Sequence, residues 1–126
     1  MGNVQDALDA AMAIDGALGV ALVDYESGVC LGAKGGGSID MELAGAAVTS
    51  MIRAKKDIIE NLGLDESINE VISTLKGQYH LVQSVNQHVG LFSYVILDRQ
   101  NSSLPLARSQ LRSIGRGLVV DAPVTG

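Results

Sequence analysis

Residues 67–97 read SINEVISTLKGQYHLVQSVNQHVGLFSYVIL, and the punctuation of this stretch decides the architecture. Three runs, the β-branched-rich 67–75, then 79–85 and the apolar 91–97, are separated only by a three-residue break centred on Gly77 and by a short turn across 87–90. Connections this short join antiparallel neighbours, because a parallel pair needs a long crossover. The third run is apolar on both faces, which predicts a strand in the middle of a sheet.

Working upstream, residues 17–25 and 29–33 flank the tight turn Glu26-Ser27-Gly28 and predict a first hairpin. Before it, Asn3 is a cap for a first helix, with Asp6 in its first turn and Val4, Leu8, Ala11 and Ile14 on one face until Gly16. After it comes a loop at Gly35-Gly36-Gly37. Ser38 or Asp40 then caps a long helix over residues 40–62, stopped by Gly63. Downstream, Ser102 or Ser103 caps the last helix, which tolerates Pro105 in its first turn. Leu104, Ala107, Leu111, Ile114 and Leu118 form its apolar stripe. The expected fold is therefore α/β (α+β), in the order α-β-β-α-β-β-β-α. A five-stranded antiparallel sheet is flanked by three helices in one domain over residues 1–120, followed by a flexible tail at 121–126.

Composition narrows function by exclusion. The formal net charge of −5 and the near absence of aromatics (Phe92, Tyr25, Tyr79 and Tyr94) disfavour nucleic acid, which calls for clustered cations and stacking rings. The charge also disfavours an anionic membrane surface. Arg108, Arg112 and Arg116 lie at helical spacing and read as a solvated face. The longest apolar run, residues 17–23, falls far short of the roughly 20 residues that cross a bilayer, so no membrane insertion is expected. The first residues carry Asp6, Asp9 and Asp15 and no basic region, unlike a signal peptide, and Asp6 stands where a myristoylation motif needs Ser or Thr. One cysteine, Cys30, excludes an intrachain disulfide. The cytoplasm is the expected location.

No constellation for catalysis emerges. In the loop 32–38, Lys34 precedes the glycines, whereas a phosphate-binding loop needs its lysine after them, so a connector is expected and no cofactor. His80 and His88 lack the paired spacing of metal ligands and read as a strand and a turn residue. Cys30 has no basic neighbour to lower its pKa and reads as a buried, inert thiol. Asp24 and Glu26 flank a hairpin turn, where acids are common for hydrogen-bonding reasons.

The long second helix is the informative element. Advancing about 100° per residue from Met41, the polar side chains Glu42, Thr49, Arg53, Lys56, Asp57 and Glu60 fall between roughly 60° and 160°. The apolar side chains cover an arc of about 180–200°, whereas a surface helix needs only about 100° to cover a sheet. The surplus arc is rich in small residues and includes Leu43, Ala47, Ser50, Ala54 and Ile58, which predicts a subunit interface. Lys55 falls inside the arc and must snorkel to its rim.

Several stretches together resemble roadblock-type dynein light-chain domains. They are GALGVALVDYESGVCLGAKGG (16–36), MELAGAAVTSMIRAKKDIIENLG (41–63), FSYVILD (92–98) and NSSLPLARSQLRSIGRGL (101–118). The resemblance spans about residues 4–118 and consists of diffuse apolar and glycine positions. It implies a profilin-like fold and a homodimer joined through paired second helices and through the strand at 67–75. Ile68, Val71 and Ile72 then join the helix residues in the self-interface. It further implies that bacterial members partner small Ras-like GTPases, as regulators, scaffolds or GTPase-activating proteins. The polar sector with Glu42, Ala46, Thr49, Arg53 and Asp57 is the expected partner surface, Arg53 being either a finger offered in trans or a solvated charge. The expected function is a non-catalytic, homodimeric interaction module for such a GTPase. The alternatives are a pure structural adaptor and a small-ligand sensor.

Overall fold

The computed structural model describes residues 2–85 and 88–120. The expected tail at 121–126, residue 87 in the expected turn and Met1 lie outside the described residues.

Local chemistry sets the helix starts. Asn3 accepts from the Asp6 amide at 2.9 Å while the Asp6 carboxylate accepts from the Asn3 amide at 3.3 Å, a reciprocal cap for α1 (Val4–Met12). Of the two expected caps for α2 (Met41–Asn61), Asp40 is used, accepting from the Leu43 amide at 3.1 Å. Ser103 caps α3 (Leu104–Gly117), where Pro105 sits in the first turn.

The strands are β1 (Ala17–Asp24), β2 (Val29–Gly35), β3 (Glu70–Thr74), β4 (Gln78–Ser84) and β5 (Leu91–Asp98). All pairings are antiparallel, in the spatial order β2-β1-β5-β4-β3, so β5 is central as expected. β3 is shorter than the run 67–75. Its pairing is closed at one end by the bond from the Leu75 amide to the Gln78 carbonyl (2.8 Å). At the other end the Ser84 amide donates to the Asn69 carbonyl (2.9 Å) where β4 stops, so Ile68 precedes the strand.

Alternation splits the core in two. Val20, Leu22, Leu81, Val95 and Leu97 face α1 and α3, packing with Leu8, Ala11, Ala107 and Leu111. Ala21, Val23, Val82, Phe92, Tyr94 and Ile96 face α2, packing with Met41, Val48 and Ile52. α2 lies over β1 and β2. On its side of the sheet, Val71, Ser73 and His80 of the β3–β4 half are only partly buried.

Candidate functional site

The site is built on α2. Met41, Gly45, Val48, Thr49 and Ile52 are its buried side. A methyl at Gly45 would lie 3.0 Å from Val23 Cγ2 and 3.3 Å from Ala21 Cβ, so the missing side chain is what lets the helix sit this low on β1. The expected interface positions Leu43, Ala47, Ser50, Ala54 and Ile58 centre roughly 200° around the helix from that side and are all exposed. Leu43 is 68% and Ile58 49% exposed, so the apolar stripe faces away from its own domain. Leu62 and Leu64 continue it past the helix end. Lys55, the charge inside the arc, is exposed.

The sheet has two edges, and they differ. In β2, Gly32 and Cys30 pair with Leu22 and Val23, leaving Leu31 as an extra residue that bulges the strand. A bulge blunts an edge against further pairing. β3 runs in unbroken register against β4 and carries no glycine, proline or bulge. Val71 packs on the α2 side and Ile72 on the α1–α3 side, both half-buried. Ile68 also packs toward the α2 side.

In the expected partner sector, Glu42, Ala46, Arg53 and Asp57 are exposed, and Thr49 is not. Thr49 is 3% exposed and therefore cannot serve as a surface contact in this fold. The close approach at Gly45 draws this flank of the helix into the core, and the Thr49 hydroxyl has no hydrogen-bond partner among the described residues. Arg53 is neither a free finger nor a purely solvated charge: its Nη2 donates to the Glu26 carbonyl at 2.8 Å. One turn on, Lys56 Nζ donates to the Tyr25 hydroxyl at 3.0 Å and lies 5.2 Å from that ring's centroid. α2 is thus tied to the β1–β2 turn twice.

The remaining candidates have structural neighbours. Cys30 is half-buried and donates to the Gly32 carbonyl at 3.3 Å; burial, above all, raises its pKa. Gly36 has φ +96°, and its amide donates inward to the Leu18 carbonyl at 2.6 Å. His88 bonds the Leu118 carbonyl at 3.1 Å. Among the described residues, no three His, Cys, Asp or Glu side chains gather as a metal site, and no helix is long and apolar enough to cross a membrane.

Of the expected solvated arginine face, Arg112 and Arg116 are exposed, while Arg108 is half-buried in an ion pair. Arg108 donates from Nε to Glu70 Oε1 at 2.8 Å, and Arg112 Nη2 stands 3.7 Å from Oε2. Burial pushes the Glu70 carboxyl up, but hydrogen bonds from Arg108 and Gln83 and both arginine charges outweigh it and hold the group below its ordinary value. This cluster, missed in the sequence, fastens the start of β3 to α3. A second missed group lies on β4, where His80 bonds Tyr94 (2.8 Å) and Gln78 (2.9 Å).

A five-stranded antiparallel sheet in this order, with one helix on one face and two on the other, is the profilin-like fold of Roadblock/LC7 domains. The Roadblock/LC7 domain from Streptomyces avermitilis superimposes with a TM-score of 0.78, covering 92% of this chain and 94% of its own at 9% identity. MglB of Myxococcus xanthus matches with a TM-score of 0.75 over 89% of this chain and 90% of its own, at 16% identity. An MglB with a tetrameric arrangement matches with a TM-score of 0.76 over 90% of this chain and 82% of its own, at 14% identity. No family model and no curated protein matches the sequence.

Proposed function

We propose that this chain is a non-catalytic, homodimeric interaction module, working in the cytoplasm, that regulates or scaffolds a small Ras-like GTPase. The observation that carries the reading is the outward apolar stripe of α2, with Leu43 68% exposed on a helix whose opposite side already fills the core. A stripe of this kind marks an association surface. Two α2 helices meeting through Ala47, Ser50 and Ala54 can approach closely, with Leu43 and Ile58 closing the ends. The unbulged β3 edge, with Val71 and Ile72, offers the second element of the same interface, and the partner's α2 would cover the β3–β4 half that its own helix leaves open. The tetrameric arrangement of one MglB supports self-association in this fold.

Glu42, Ala46 and Asp57, flanked by Arg53, form the surface left for the GTPase. Because Arg53 is already bound to the Glu26 carbonyl, this reading gives it a bracing role. The test mixes the purified protein with a Ras-like GTPase encoded in the same gene neighbourhood and measures complex formation and GTP hydrolysis. Complex formation in one nucleotide state is expected. Failure to bind in either state overturns the proposal, and binding with an unchanged hydrolysis rate assigns the scaffold role.

A further inference from the structure

Tyr94 on β5 is 4% exposed, and its hydroxyl donates to Nδ1 of His80 on β4 at 2.8 Å. Nε2 of the same ring donates to the Gln78 side-chain oxygen at 2.9 Å. Both ring nitrogens are thus committed, one as acceptor and one as donor, which is the neutral imidazole. A second proton, on Nδ1, would turn that acceptor into a donor and leave the buried Tyr94 hydroxyl proton without a partner.

The ring sits on the α2 side of the sheet, in the β3–β4 half that α2 leaves open. Among the described residues, nothing around it offers an imidazolium a counter-charge. From β3 the cross-strand neighbour is Ser73, and the Glu70 carboxylate of that strand is turned to the opposite face by Arg108. On β5, Asp98 lies opposite Gln78, but its two oxygens accept from the Gln100 amide and the Asn101 side chain. On α2, Arg53 and Lys56 reach to the β1–β2 turn, and the flank about 200° round from Arg53 brings only another cation, Lys55. No ion pair forms at the ring, and burial alone lowers its pKa.

In the proposed homodimer the second copy's α2 covers this half of the sheet. Its stripe of Leu43, Ala47, Ser50, Ala54 and Ile58 carries no carboxylate either. Covering His80 therefore removes the water left around it and supplies no counter-charge. We propose, resting on that homodimer, that His80 makes self-association pH-dependent: the pair accepts the neutral ring, and protonation separates the subunits. Separated chains take up protons that the pair excludes, so the dimer is favoured above the ordinary histidine range and weakened as pH falls through it.

Sedimentation equilibrium at about pH 7.5 and about pH 5.5, with circular dichroism on the same samples, tests this. One His80 in each copy links two protons to separation, so the dissociation constant is expected to rise at least about tenfold at the lower pH, with the fold retained. His80→Gln, which stays uncharged and keeps a hydrogen-bonding side chain, should hold one dissociation constant at both pH values, and His80→Phe should do the same. A parent dimer of equal strength at both pH values overturns the switch and leaves the dimer standing. So does a pH dependence that persists in both variants, or a dissociation that comes with loss of ellipticity. A parent that is monomeric at both pH values overturns the dimer itself, and the switch with it.

Discussion

Glu70 stands at the first position of the open-edged strand β3, yet its carboxylate is turned to α3, taking Arg108 Nε at 2.8 Å and Gln83 Nε2 at 2.8 Å. Gln83 is 5% exposed, so removing the carboxylate leaves a buried amide with one partner fewer. Glu70→Ala should lower stability by about 1–3 kcal/mol in urea denaturation at neutral pH. Because the folded pKa is lowered, this contribution is present above the ordinary carboxylate range and lost as pH falls through the folded value. The difference between variant and parent should therefore shrink toward zero in strong acid; an equal difference at both pH values would contradict the ion-pair account. His80 titrates with related logic. The Gln78 oxygen can only accept, so Nε2 carries the proton and Nδ1 accepts from Tyr94, which defines a neutral imidazole. Burial lowers its pKa, so the stability it contributes is complete above about 6.5 and lost as pH falls below, where the unfolded chain takes up the proton first. His80→Phe should weaken the fall in melting temperature between neutral and mildly acid pH. None of this was legible in the sequence. Glu70 and Arg108 are 38 positions apart, and only the packing of α3 against β4 brings them together.

At the scale of the element, α2 was the most legible part of the chain. Its cap, its stop at Gly63 and the width of its apolar arc all follow from residue type and a 3.6-residue period. Which part of the arc meets the sheet did not follow, since that depends on Gly45 settling against Val23 and Ala21. For the same reason Thr49, polar by type, is core by position. Two substitutions separate the faces. Ala54→Glu, at an exposed position, should leave unfolding of the isolated chain within about 0.5 kcal/mol of the parent. It should weaken self-association at least about tenfold, because a carboxylate would be buried without a partner. Gly45→Leu, by contrast, should cost about 1–3 kcal/mol of folding stability by overpacking the α2–β1 contact. If Ala54→Glu unfolds the chain while Gly45→Leu is silent, the assignment of inner and outer faces is reversed.

The whole molecule followed from punctuation. Short turns forced antiparallel pairing, and the doubly apolar run at 91–97 became the central strand β5. The blunting of one sheet edge was hidden, because it rests on a single extra residue, Leu31, that no turn signal announces. Together these features leave one apolar helix face and one regular strand edge open, and the account holds that a second copy covers both. The most direct measurement is the mass in solution, by light scattering on a size-exclusion column at micromolar concentration. The account predicts 2 × 13.1 kDa = 26.2 kDa, falling toward 13.1 kDa in Ala54→Glu. A parent protein that elutes at 13.1 kDa would contradict it.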